Sequence, residues 1–152
     1  MTDLTALAGK VREAIPLTRH LAFEYLDFDG ERLRLRAPLE LNHNDKGTFF
    51  AGSQAALVTL AGWSLTSVLA EQILPDQAVD VVAVTSSLDY LLPLDVDMVI
   101  TAESEAADRE RFRERLQRRG KSSLRIMARA DNEQGQPVCQ YQGTFLARIL
   151  KP

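Results

Sequence analysis

Residues 42–63 read NHNDKGTFFAGSQAALVTLAGW, and the organisation of the whole chain follows from them. Polar and turn-forming residues (Asn42, His43, Asn44, Asp45, Gly47) crowd the first half. From Gly52 onward the composition turns apolar, through Ala55, Leu57, Val58, Leu60 and Ala61, and the pattern continues to Ile73 before Pro75 stops it. A helix over 52–73 that is apolar nearly all round must be buried on most sides. The start of such a helix offers unpaired N–H groups and the positive end of the helix dipole, a ready site for an anion or a developing oxyanion. The helix carries no acid or base at that end. The question is which reaction can run on amides, hydroxyls and backbone N–H groups alone.

Upstream, Leu4, Leu7, Val11 and Ile15 fall at helical spacing and Pro16 stops them, so a short amphipathic helix lies within residues 1–17. HLAFEYLDFDGERLRLRAP then reads as a hairpin, with strands 20–28 and 31–37 around an Asp29-Gly30 turn. Downstream, the β-branched run at 78–92 closes at Pro93 and reads as a strand, followed by another at 95–106. DRERFRERLQRRG (108–120) reads as a short helix with Asp108 as N-cap and Gly120 as C-cap. Strands 122–131 and 137–150, joined at Asn132–Gly135, end the chain. The fold class is therefore α+β: one domain over 1–152, with an antiparallel sheet of about six strands curled round one long central helix. Such a sheet leaves an exposed edge, and strand 78–92, apolar on both faces at VVAV, is expected to pair with its own copy in a homodimer.

The bulk properties narrow the function. A net charge of −3 argues against nucleic acid as the partner. The single cysteine, Cys139, cannot form an internal disulfide, which suits a reducing cytoplasm. The apolar stretch Ala55–Ala70, interrupted by Thr59, Ser64, Thr66 and Ser67, reads as too short and too polar for a membrane span. The N-terminus lacks the pattern of a signal peptide. Two histidines and one cysteine make no convincing zinc set, so neither metal nor cofactor is expected.

The order of elements and the loop N-x-N-x-x-G-T-x-F-x-G-S together resemble the hot-dog fold of acyl-thioester enzymes, over roughly residues 20–149. More narrowly, GTFFAGS and LAGW are similar to the hot-dog family first labelled putative thioesterases. That family also occurs behind GNAT-type acetyltransferase domains, and some of its members are malonyl-ACP decarboxylases. The wider thioesterase motif puts a histidine before paired glycines and an aspartate further along the helix. Here those places hold Phe50, Ala51-Gly52 and Thr59.

The candidates follow. Asn44 aligns with the family's loop asparagine as an amide donor. The backbone of Gly52 and Ser53 would polarise a thioester carbonyl, with Gly52 also admitting the ligand close to the chain. Thr59 and Thr48 would orient a carboxylate, and Phe50, Trp63 and Ser64 would line the pocket. The duller readings give Ser53 a capping role, Gly52 a turn role and Thr59 a bond to the carbonyl one turn back. Asn42 and Asp45 read as turn residues, and His43 as uninvolved. RERFRERLQRRGK, with Arg109, Arg111 and Arg113, reads either as a solvated helix with a Glu114–Arg118 pair or as a docking patch. Its guest would be an acidic acyl carrier protein or the phosphate of a phosphopantetheine arm, carried on that protein or on CoA.

Thioester hydrolysis needs a base to deprotonate water. Decarboxylation of a malonyl thioester needs only donors at the developing enolate and a poorly hydrated place for the leaving carboxylate. The resemblance implies a malonyl-ACP or malonyl-CoA decarboxylase, and the missing carboxylate is chemically consistent with it. A thioesterase taking its base from Asp45 or a partner subunit's Asp89 is the first alternative, and a non-catalytic acyl-binding module the second. Ser86, Asp89 and Tyr90 are unranked candidates for pocket residues supplied across the dimer.

Overall fold

The computed structural model of the chain describes residues 2–151. Helix α1 (Leu4–Ala14) is capped by Asp3, whose carboxylate accepts from Ala6 N at 3.0 Å. A short α2 (Thr18–Leu21) then ends at Ala22 in the left-handed region, φ 52°. This turn takes the residues expected to begin the first strand, so β1 covers only Glu24–Phe28 and pairs with β2 (Leu33–Ala37). Asp29 closes the hairpin by accepting from Glu31 N and Arg32 N, with Gly30 at φ 100°.

Helix α3 (Leu39–Asn42) and the loop behind it lead into α4, Ala51–Ile73, one residue earlier at its start than the sequence reading. The remaining elements are β3 (Val79–Tyr90), β4 (Met98–Glu103), α5 (Ala106–Arg119), β5 (Lys121–Asp131) and β6 (Pro137–Ile149). All six strands join one antiparallel sheet in the order β1-β2-β4-β5-β6-β3.

Alternation does the work in this sheet. Leu33, Leu35 and Ala37 of β2, Met98, Ile100 and Ala102 of β4, and Leu124, Ile126 and Ala128 of β5 all point to one buried face. Against that face lies α4, with Leu57, Val58, Leu60, Leu65, Val68 and Leu69 buried. Each such side chain stabilises the fold by about 1.5–3 kcal/mol. The helix is in fact long and apolar enough to cross a membrane by length and composition, contrary to the sequence expectation, but 67% of its apolar window is buried within the protein. Its composition is that of a core helix.

The LAGW element explains how α4 seats on the sheet. A Cβ on Gly62 would stand 2.5 Å from the Phe145 ring of β6, so only glycine lets helix and sheet approach this closely. Trp63 then donates its indole N–H to Val81 O of β3 at 3.0 Å.

The two sheet edges differ. β1 is flanked by α1, with Arg12 donating to Phe23 O and stacking over the Phe23 ring. β3 pairs only with β6 and exposes Val82, Val84 and Tyr90.

Helix α5 corrects one detail of the sequence reading. Asp108 is not its N-cap; Glu105 takes that position, without a side-chain bond. Asp108 sits in the first turn, buried, where it meets Arg111 and, at 3.6 Å, Arg125 of β5. It ties the helix to the sheet. The expected Glu114–Arg118 pair is not among the ion pairs of the described residues, whereas Gly120 closes the helix in the left-handed region as expected.

Candidate functional site

The loop at 42–50 is built by its amides. Asn42, read as a turn residue, is instead the buried last residue of α3 and donates to Leu21 O and Pro38 O, both at 2.9 Å, so it holds α2 and α3 together. Asn44 does more than expected for the loop and less for a ligand. Its Oδ1 accepts from Lys46 N at 2.8 Å and Thr48 N at 3.1 Å, and its Nδ2 donates to Thr48 Oγ1 at 2.9 Å. One amide hydrogen is left over. The Thr48 hydroxyl, accepting from Asn44, keeps its own proton to donate. The donors this loop leaves free are thus one amide hydrogen of Asn44 and the Thr48 hydroxyl proton, with Thr48 held in place by Asn44.

His43 is exposed, with Nδ1 2.9 Å from Asn44 O. Asp45 is exposed and paired with Lys46 at 2.9 Å, which holds its carboxyl below the usual carboxylate range.

The chain enters α4 through Phe50, an extended residue that offers no side-chain cap. The first helical bond is Gln54 N to Phe50 O at 3.0 Å. The N–H groups of Ala51, Gly52 and Ser53 consequently have no hydrogen-bond partner among the described residues. Ser53 is thus inside the first turn rather than capping it. Gly52 serves the loop in an unexpected way: a Cβ there would clash with Phe50 Cε2, so the half-exposed Phe50 ring already occupies the space read as the ligand's.

Along α4, Gly52, Ala56, Thr59, Trp63 and Ser67 fall on one stripe, and all are less than fully buried. The structure thus brings Gly52, Thr59 and Trp63 onto one face, as a shared site would need. Thr59, however, donates to Ala55 O at 2.8 Å, leaving it only acceptor capacity. Ser64 is a correction. It is fully buried, points to β1 and lies 2.6 Å from the Tyr25 hydroxyl, so it lines no open surface. Burial pushes the Tyr25 phenol up to about 12, offset in part by the Ser64 bond and by Arg12.

The edge strand contributes residues that periodicity did not rank. Tyr90 reaches the helix start, its hydroxyl 3.2 Å from Ala51 O, and Ser86 meets the buried Tyr141 hydroxyl at 3.0 Å. Both stand on the α4 side of the sheet. Asp89, between them in the alternation, lies on the opposite face in an open trough with Ser87, Gln140 and Arg129. It is therefore turned away from the α4 of its own chain. That trough has its arginines already paired: Arg32 with Glu103 and Arg129 with Asp131.

Gln54 was missed by the sequence reading, because a glutamine on a helix carries no spacing signal. It is buried, donates to Phe49 O at 3.0 Å and keeps Oε1 without a partner.

The arginines also need revision. Arg109 is committed to Ser104 O and, at 3.3 Å, to Glu31, and Arg111 to Asp108. Of the three expected to bind substrate, only Arg113 is unpaired among the described residues.

The chemistry available is clear from this geometry. Three N–H groups are free where the dipole of a 23-residue helix is positive, and the only carboxylate on that helix, Glu71, stands near its other end.

Solved structures with this architecture include a protein of unknown function from Chlorobaculum tepidum TLS (22% identical, TM-score 0.85, covering 95% of this chain and 93% of that one). A putative thioesterase from Shewanella oneidensis is 24% identical, with TM-score 0.80 and coverage of 95% and 96%. A Pseudomonas aeruginosa protein described as a probable thioesterase is 21% identical, with TM-score 0.76 and coverage of 99% of both chains. At these identities the likeness establishes the fold, which is the hot-dog fold. Among curated proteins the sequence finds no match. Residues 4–149 match the model of the family described as "Putative thioesterase (yiiD_Cterm)", and the chain belongs to that family.

Proposed function

We propose that this member of an acyl-thioester enzyme family decarboxylates a malonyl thioester, on acyl carrier protein or CoA, to the acetyl thioester. The observation that carries the reading is the uncapped start of α4: free N–H groups at Ala51, Gly52 and Ser53, with no acidic residue in the first turn.

The bond between the malonyl methylene and its carboxylate breaks, carbon dioxide leaves, and the electron pair is delocalised onto the thioester oxygen as an enolate. Donors aimed at that oxygen lower the barrier, each by about 3 kcal/mol where well placed. In this reading the first-turn N–H groups and the Thr48 hydroxyl supply them, while Asn44 fixes Thr48. Thr59, with its proton already donated, borders the pocket rather than binding the carboxylate. The enolate carbon then takes a proton from water, leaving hydroxide and acetyl thioester. A carboxylate at the helix start would repel the malonyl group, so its absence favours this course.

The functional unit is a cytoplasmic homodimer in the same proposal. β3 carries Val82, Val84 and Tyr90 exposed on an unpaired edge, with Tyr90 against the start of α4. A two-fold axis normal to the sheet pairs β3 with its copy antiparallel and keeps both α4 helices on one face, so strand edges and stripes are covered together.

The family description favours a second reading, thioester hydrolysis. The two proposed bases fare poorly in it, since Asp45 is exposed and paired with Lys46, and Asp89 faces away from the α4 of its own chain. Purified protein given malonyl-ACP and saturated acyl-ACPs, with products resolved by mass, separates the readings. Acetyl-ACP from malonyl-ACP alone is expected; free carrier thiol from both substrates would mean hydrolysis, and turnover of neither a binding module. Thr48→Val is expected to lower kcat roughly 100-fold, as loss of one oxyanion donor does, and Thr48→Ser to retain most of it.

A further inference from the structure

Resting on the dimeric acyl-thioester reading above, we propose that the acidic carrier docks on α5 of one subunit and delivers its arm to the α4 start of the other. Site and docking surface lie at opposite ends of the chain. Tyr90 meets Ala51 O, and Phe49 N donates to Leu94 O, so the helix start and its loop stand at the Tyr90 end of β3. The C-terminal end of α5 stands at the other: Gly120 packs on Ile149, which pairs with Val79, and Lys121 pairs with Arg148. The 12 residues of β3 separate these ends by roughly 36 Å at the usual rise per strand residue.

The α5 surface has the chemistry of an anionic partner. Seven cations and four carboxylates lie between Glu105 and Lys121, but the carboxylates stop at Glu114. Beyond it come Arg115, Arg118, Arg119 and Lys121, all exposed and, with Arg113, in no ion pair or side-chain hydrogen bond among the described residues. The arginines nearer the helix start are the ones already engaged, Arg109 with Glu31 and Arg111 with Asp108. Cations in the last turn favour the helix dipole, yet a cluster without counter-charge on a chain of net charge −3 is a surface that attracts an acidic protein. Lysine and arginine there also suit the phosphodiester at the root of the carrier's arm.

Antiparallel pairing of β3 with its copy closes the gap. The Val79 end of one strand then lies beside the Tyr90 end of the other, which sets the basic end of α5 near the partner's helix start. A carrier on its own subunit's α5 would have to reach the length of the strand. One docked across the two-fold faces a site at the same end.

A cross-link experiment tests this without relying on turnover. The probe is an acyl carrier protein whose pantetheine arm ends in a photoreactive acyl group. The protein is a mixed dimer of wild-type subunits and isotope-labelled subunits carrying Arg115→Gln, Arg118→Gln and Arg119→Gln. Cross-linked peptides from residues 42–63 are expected on the labelled, patch-neutralised subunit, with at least ten-fold less cross-linking in the all-variant dimer. Cross-links confined to the unlabelled subunit, unchanged yield in the all-variant dimer, or a monomer by sedimentation would each overturn the proposal. Turnover of malonyl-CoA by the same variant is read in parallel: equal loss with CoA and with the carrier also overturns it, by showing damage to the site rather than to docking. Failure of decarboxylation with every substrate would count against the reaction and leave the cross-link pattern to judge the docking.

Discussion

Helices α1 and α4 begin in opposite ways. Asp3 closes the start of α1 with a carboxylate on Ala6 N, satisfying a donor that would otherwise need water. α4 is the longer and more buried helix, yet Phe50 leads into it with no side-chain bond, and three N–H groups stay free. A cap in that place would be expected to add about 1 kcal/mol. Its omission leaves the start of α4 open to an anion, as the proposed function requires, whereas the cap of α1 adds stability.

Making the two starts alike should therefore cost function. Phe50→Asp gives α4 the cap that α1 has, and is expected to lower kcat/KM for the malonyl thioester at least 100-fold, the loss of a donor's worth of oxyanion stabilisation. The melting temperature should be unchanged or raised. Full activity in a well-folded variant would show that the open helix start is not the site.

The two glycines of α4 sharpen the same contrast. Gly62→Ala sets a Cβ 2.5 Å from the fully buried Phe145 ring, which has nowhere to go, and should destabilise by about 1–3 kcal/mol in denaturant titration. At Gly52 the clashing ring is Phe50, half exposed and free to turn, so Gly52→Ala should cost under about 1 kcal/mol of stability. Its effect should instead appear in KM. Equal losses of stability at both positions would remove the distinction.

The reciprocal change, Asp3→Ala, should cost about 1 kcal/mol of stability and leave kcat and KM as they were. A fall in turnover would make the N-terminal helix part of the site.

The smallest effect expected on turnover is that of pH. With Asp45 held ionised by Lys46 and no acid at the helix start, kcat should stay flat between about pH 6 and 9. A limb in that range would reveal a base that the geometry does not supply. Further up, Tyr25 sets a stability limit. Burial raises its folded pKa to about 12, above the unfolded value near 10, so the folded state binds the proton more tightly. Stability is complete below pH 10 and falls as pH rises toward 12, by up to about 3 kcal/mol. Ultraviolet titration alongside unfolding would follow both.

The sequence by itself determined the scaffold. An unbroken apolar helix can only be central, alternation at LRLR and SSLRIMARAD can only build a two-sided sheet, and the missing acid at Thr59 is visible without coordinates. Boundaries shifted where local turns won, at Ala22 before β1 and at Glu105 before α5, because positive φ and cap geometry leave little trace in hydrophobic period.

What only the tertiary structure decided is direction and partnership. Spacing listed Ser64 and Thr59 alike as hydroxyls of the helix, but the rotation of α4 on the sheet turns Ser64 to Tyr25 and leaves Thr59 on the open stripe. It listed Arg109, Arg111 and Arg113 alike as cations, but Glu31 and Asp108, placed by the β1–β2 turn and the first turn of α5, claim the first two. It listed Asn44 as a donor, but the folded loop spends most of that amide on Thr48 and its own backbone. A side chain's type is written in the chain; whether its proton is free depends on neighbours that only folding brings within 3 Å.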